Sequence, residues 1–186
     1  MMIRTKDRSV GAILSSAIAK KFGNKGLPND TISINFRGTA GQSLGAYLIN
    51  GVKISLEGEA NDYVGKSMHG GTIIIHPDRE SNFSTDGNSI IGNTVLYGAT
   101  AGSLFAAGTA GERFCVRNSG AVAVIEGVGD HACEYMTGGE VYIFGPIGKN
   151  LGAGMSGGIA YILNENENIS EQVNHDMVSI EEVNDK

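Results

Sequence analysis

A glycine returns every 18–20 residues along most of this chain, each time directly before a short apolar run, and that spacing limits the fold more than any other feature. Gly120 precedes Ala121–Ile125, Gly139 precedes Glu140–Phe144 and Gly158 precedes Ile159–Leu163, at offsets of 19 and 19. Gly102, before Ser103–Ala107, lies 18 upstream of Gly120; Gly51 and Gly71, before Val52–Leu56 and Thr72–His76, are 20 apart. The single long step, 31 residues from Gly71 to Gly102, predicts an insertion near Pro77–Asn88. The approaches repeat as well: Lys66–Gly71, Tyr135–Gly139 and Gly154–Gly158 each carry Met, then His, Thr or Ser, then Gly-Gly. Such a period is too short for a βαβ unit of about 30 residues or a propeller blade of about 40–45. It fits one coil of a β-solenoid, whose coils bury their apolar faces only by stacking. Alternation predicts Val141 and Ile143 on one side of their strand and Tyr142 and Phe144 on the other.

Glycine makes up 28 of 186 residues, about twice ordinary usage. With three Pro and no Trp, this composition suits many short strands joined by tight turns. An antiparallel sandwich is the competing architecture, but its hairpins would place Asn-Gly or Asp-Gly at irregular spacing. The length allows one domain. Residues 1–30 are read as an N-terminal helix and cap, 31–163 as the solenoid and 164–186 as an acidic tail, either a short docking helix or a frayed end. The helix is expected over 9–22, with Val10, Ile13, Leu14, Ala17, Ile18 and Lys21 on one stripe, Asp7 or Ser9 capping its start and Gly23 its end. Its expected role is to cover one open end of the stack, since bare strand edges invite aggregation.

A net charge of -6 without a basic block argues against nucleic acid. The longest apolar runs fall far short of a membrane span, and the N-terminus lacks a secretory signal pattern, so a cytoplasmic location is expected. Gly152–Gly157 spells G-x-G-x-x-G, but a strand pattern follows it where dinucleotide binding needs a helix. Gly65-Lys66-Ser67 resembles a Walker A ending, yet Ala60 stands where the earlier glycine belongs. Cys115 and Cys133 lie nearly one coil apart, as small core fillers or, less commonly, a soft metal site near His131. Asp62, Asp78, Glu80 and Asp86 keep a polysaccharide-active β-helix among the alternatives.

The segment Gly108–Gly120, GTAGERFCVRNSG, resembles the C-terminal Gly-rich domain of the glutamate synthase large subunit, named for its G-x-G-x-G repeats. The resemblance runs in order through Asp7–Gly11, Gly41–Gly45, Gly58–Gly65, Ile91–Asn93, Tyr97–Thr100, Glu126–His131, Glu134–Gly139 and Gly152–Gly158. It implies an all-β, single-stranded right-handed parallel β-helix that supplies no catalytic, cofactor-binding or metal-binding residue. In that family an amidotransferase part hydrolyses glutamine, and an FMN-binding barrel with an iron–sulfur cluster uses the ammonia to convert 2-oxoglutarate to glutamate. The expected partners are therefore an amidotransferase subunit and an FMN-binding synthase subunit, with FMN and the cluster in those partners and none in this chain; self-association is the further possibility. Neither catalytic part is present here, and the opening Met1 and polar tail favour a separately encoded subunit over an excised domain. A β-helix subunit of formylmethanofuran dehydrogenases is a related alternative.

For a scaffold of this kind the candidate interface consists of exposed features that break the repeat. Arg113 and Arg117 flank Cys115 in a strand-like stretch and are expected to point the same way, towards partner carboxylates or carbonyls. Asn61, Asp62 and Tyr63 and the insertion are the other candidates. The local alternatives are pairing of the arginines with Glu112 and Glu134, and an Asx turn at Asn61-Asp62.

Overall fold

The computed structural model describes residues 1–78, 80, 85, 87–164 and 169–183. It is a parallel β-solenoid. Strands β1 (Met2–Ile3), β2 (Ile32–Ala40), β3 (Val52–Ala60), β4 (His69–His76), β5 (Ser89–Ile91), β6 (Ala101–Ala106), β7 (Thr109–Ala110), β8 (Ser119–Ile125), β9 (Gly127–Val128), β10 (Thr137–Ile143) and β11 (Gly157–Ile162) pair only in parallel. The long face runs β2-β3-β4-β6-β8-β10-β11, one strand per coil, and from β3 onward each lies within a few residues of the apolar run that the glycine spacing located. A second face is built from the C-terminal end of β3 with β5, β7 and β9. The step from β4 to β6 carries the expected insertion; of its residues, 79, 81–84 and 86 lie outside the described residues.

The third side of each coil is not a strand. It is a chain of tight turns in which every second residue has positive φ: Ser43, Gly45 and Tyr47; Tyr63, Gly65 and Ser67; Thr94, Leu96 and Gly98; Arg113, Cys115 and Arg117; His131, Cys133 and Tyr135. Successive turns overlap, as in Ala46 N–H to the Ser43 carbonyl and Leu48 N–H to the Gly45 carbonyl, both at 3.1 Å. A left-handed third residue is what type II turns require. The coils are stitched here too. In each turn chain the outer N–H groups donate to the next coil and the middle one to the previous coil, as Ser43 to Asp62, Tyr47 to Lys66 and Gly45 to Val10 show.

Side chains alternate along the long face. Ile54, Leu56, Ile73, Ile75, Leu104, Ala123, Val141 and Ile143 point inward and are buried, and Tyr142 and Phe144 point outward. From the turn side, Leu44, Val64, Val95, Phe114 and Ala132 stack into the same interior. Their order follows from bonds such as Leu96 N–H to Val64 and Cys115 N–H to Val95. The stack thus supplies a core that no single coil has.

Helix α1 (Ala12–Phe22) covers one end, continued by a 3-10 turn over Gly23–Lys25. It starts later than the periodicity suggests, because Ser9 and Gly11 have positive φ, which a right-handed helix cannot include. Gly11 takes the N-cap position without a side-chain cap. Asp7 instead accepts the Arg4 N–H at 2.9 Å. The buried stripe is Ser15 and Ile18, supported by Val10, Leu14 and Ala19, whereas Ile13 is 87% exposed. At the other end, α2 (Ile169–Gln172) is a single turn. The chain after it adds a rung to the turn side: Leu151 N–H donates to Gln172 and Asn174 N–H to Leu151. Val173 packs on the core, while Met177, Ile180 and Val183 are exposed, so the near-helical spacing of 173–183 does not make a docked helix.

Candidate functional site

The turn side carries all five residues that sequence reasoning singled out, and the structure gives most of them work within the chain. Arg113, Cys115 and Arg117 form a turn chain, not the strand-like stretch expected. Both arginines still face outward, but Cys115 between them is buried along with Phe114 and Val116, so outward side chains recur here every fourth residue and not every second as in a strand. Arg113 forms an ion pair with Glu134, the local partner anticipated for it. Arg117 lies over the Tyr135 ring, 5.8 Å from its centroid. Tyr63 presents its ring to Lys66 at 5.4 Å, and the Tyr97 ring lies 6.0 Å from the same ammonium. These are exposed cation–aromatic contacts.

Asp62 has a structural use of a kind the sequence did not disclose. Its Oδ1 accepts the Asn93 N–H at 2.8 Å, so the bond crosses to the next coil and is not a local Asx turn. Asn93 repeats this towards Glu112 N–H at 2.8 Å, and Asp130 towards Lys149 N–H at 2.7 Å. A polar ladder therefore runs up one edge of the turn side. Gly92, Gly111 and Gly148 leave room for it, since a Cβ at Gly111 would sit 2.2 Å from the Asn93 Oδ1. Asn61 completes the corner, its Nδ2 donating to the Ala40 carbonyl at 3.3 Å.

The two cysteines occupy equivalent places in adjacent coils, buried and unpaired. Burial pushes the Cys133 thiol up to about 12 and raises Cys115 too, with Cys133 beside it adding to the shift. Such thiols are poor nucleophiles. Gly152 and Gly154, from the literal G-x-G-x-x-G, lie in the last turn chain before β11, so a strand and not a helix follows the motif directly. Among the described residues no three His, Cys, Asp or Glu side chains converge as metal ligands, and no helix is long and apolar enough to cross a membrane.

Asn118, a fully buried polar residue, escaped sequence reasoning. Asn118 sits in an interior column whose other members are Leu48, Met68, Ala99 and Met136. Its side chain serves the backbone at an irregularity where β8 and β10 shift register. Oδ1 accepts from Ala121 N–H at 2.9 Å and Gly120 N–H at 3.3 Å, and Nδ2 donates to the Ala121 carbonyl at 2.9 Å.

A stack of parallel coils with a glycine-patterned turn side and a helix over one end defines a β-helix of the G-x-G-x-G class, and this chain belongs to the family described as GXGXG motif, which matches residues 1–186. Its relatives are glutamate synthases. It is 56% identical over 179 residues to the glutamate synthase [NADH] of Schizosaccharomyces pombe, covering 96% of this chain and 8% of that protein. It is 58% identical over 181 residues to the ferredoxin-dependent glutamate synthase of Cyanidium caldarium, covering 97% and 12%. Against the glutamate synthase [NADPH] large chain of Bacillus subtilis it is 49% identical over 185 residues, covering 99% and 12%. The chain thus spans about a tenth of the length of these relatives.

Proposed function

We propose that this chain is a non-catalytic structural element of a cytoplasmic glutamate synthase, holding an amidotransferase part and an FMN- and iron–sulfur-bearing synthase part in the placement that lets ammonia pass between them. The observation that carries this is the end-to-end match, at 49–58% identity, to a small segment of much longer glutamate synthases. The electron donors printed in the relatives' names differ, yet identity to this chain is similar across them. That supports a role independent of the donor. The geometry supports scaffolding as well: the interior is filled by stacked apolar side chains, and the polar side chains of the turn side mostly bind neighbouring coils. On this reading FMN and the cluster reside in the partners, and the exposed faces of Arg117, Tyr63 and Tyr135 form one contact surface.

Isolation of the chain from its native cells, with identification of the co-purifying proteins, tests this. An amidotransferase and an FMN protein are expected, with glutamine- and 2-oxoglutarate-dependent glutamate formation in the complex and none from the free chain. Recovery of the chain alone, or with a molybdopterin enzyme, contradicts the proposal.

A further inference from the structure

One part of the long face's outward side, from β4 to β11, is unusually apolar for a surface. Register places Ile74, Phe105, Val124, Tyr142 and Tyr161 in one column across β4, β6, β8, β10 and β11. Phe105 is 42% and Phe144 56% exposed, and the Tyr142 and Tyr161 rings stack with centroids 4.8 Å apart. Between Ile74, Phe105, Val124 and Phe144 runs a shallow groove of about 290 Å³, with His76 and Glu126 at one end. Contiguous apolar surface of this kind marks a place of contact.

Glu126 indicates what enters the groove. Its Oε1 accepts the Thr85 hydroxyl at 3.0 Å. Its Oε2 is buried and has no hydrogen-bond partner among the described residues. Among the described residues no lysine or arginine lines the groove, and the His76 Nδ1 lies 2.9 Å from the Pro77 carbonyl. A carboxylate oxygen withdrawn from water beside an apolar wall is weakly screened and favours a cation close by. The described residues supply none there.

We infer that this groove is the docking site for a segment of the synthase polypeptide that presents an apolar side chain next to a lysine or arginine, the apolar group lying between Phe105 and Phe144 and the cation reaching Glu126. The inference rests on the function proposed above. The occupant is a partner protein because nearly nine-tenths of the relatives' length lies outside the matched segment. The anionic end of the groove selects a basic-apolar segment over a purely apolar one.

The test measures binding of the amidotransferase and FMN polypeptides from the same cells to the wild-type chain and to Glu126→Gln, Phe144→Asp and the helix-face control Ile13→Gln. Wild type and the control are expected to bind alike. Glu126→Gln is expected to bind about tenfold more weakly, and Phe144→Asp about thirtyfold or more. Glu126→Gln keeps the acceptor for Thr85 and removes an uncompensated charge, so the free variant should melt no lower than wild type. Failure of the wild-type chain to bind refutes the proposed function itself. Wild-type binding that Glu126→Gln and Phe144→Asp leave unchanged overturns this inference alone. So does a lower melting temperature for free Glu126→Gln, which would make the carboxylate a fold residue, or a free-chain dimer that Phe144→Asp dissolves.

Discussion

Replacing Asn118 with Ala is expected to destabilise the solenoid by about 3 kcal/mol, counting three lost hydrogen bonds at about 1 kcal/mol each. The residue is 0% exposed, and its amide satisfies both backbone groups of Ala121 where the β8–β10 register slips. Without it, a buried N–H and a buried C=O face the side of a cavity. For a chain of this length, 3 kcal/mol corresponds to a fall of about 6–12 °C in Tm. Coils contact only their neighbours, so unfolding need not be concerted. Urea unfolding is therefore best paired with hydrogen exchange at the Ala121 amide, which should be protected in wild type and exchange freely in the variant. Asn118→Asp keeps the accepting oxygen but turns the donor into a second carboxylate oxygen facing the Ala121 carbonyl. Burial raises the pKa of that acid, so its cost should be greatest at neutral pH and shrink as the group protonates in acid. A loss below about 1 kcal/mol, with the Ala121 amide still protected, would refute the role assigned to Asn118.

Asp62→Ala removes one rung of the polar ladder and should cost about 1 kcal/mol, with faster exchange at the Asn93 amide and little change four coils away. Thr94 is β-branched at φ 60°, so Thr94→Asn should stabilise by about 1 kcal/mol, read as a higher urea midpoint. The Glu80 N–H and the Arg37 guanidinium, 2.7 Å away, hold the Asp78 carboxyl below its ordinary value of 3.8. Its contribution is present above that unfolded value and lost as pH falls through the lower native one; Arg37→Met should therefore lower stability at neutral pH and converge with wild type in strong acid. Cys115 and Cys133 should resist thiol reagents at neutral pH until the chain unfolds. Stability should fall as pH rises from 9.0 towards the native Cys133 value of about 12, because only the unfolded thiols ionise in that window.

The coil period was legible because its glycines are fixed by contact between coils. A Cβ at Gly120 would lie 2.2 Å from the Thr100 carbonyl oxygen of the preceding coil, and one at Gly139 would lie 2.4 Å from that of Ala121. The turn side was harder to read. A strand would put Arg113, Cys115 and Arg117 on one side, whereas the left-handed residues at 113, 115 and 117 turn Cys115 inward between two outward arginines, and nothing in the residue types announces that switch. Strands β7 and β9 are two residues long, below the length at which any periodicity shows. The role of Asp62 depends on an N–H 31 positions away, and that of Asn118 on a register slip, neither of which has a local signature. The outward column from Ile74 to Tyr161 was present in the sequence as the alternate residues of each strand. It needed the register to appear as one continuous face.

The most direct test of the positioning role compares the assembled synthase with the same partners lacking this chain, measuring glutamine hydrolysed and glutamate formed by each. If the chain only places the two catalytic parts, its omission should leave glutamine hydrolysis measurable while the ammonia escapes and glutamate formation from glutamine falls; adding the folded chain back should restore the coupling. Equal coupling with and without the chain, or a catalytic turnover retained by the chain alone, would contradict the account.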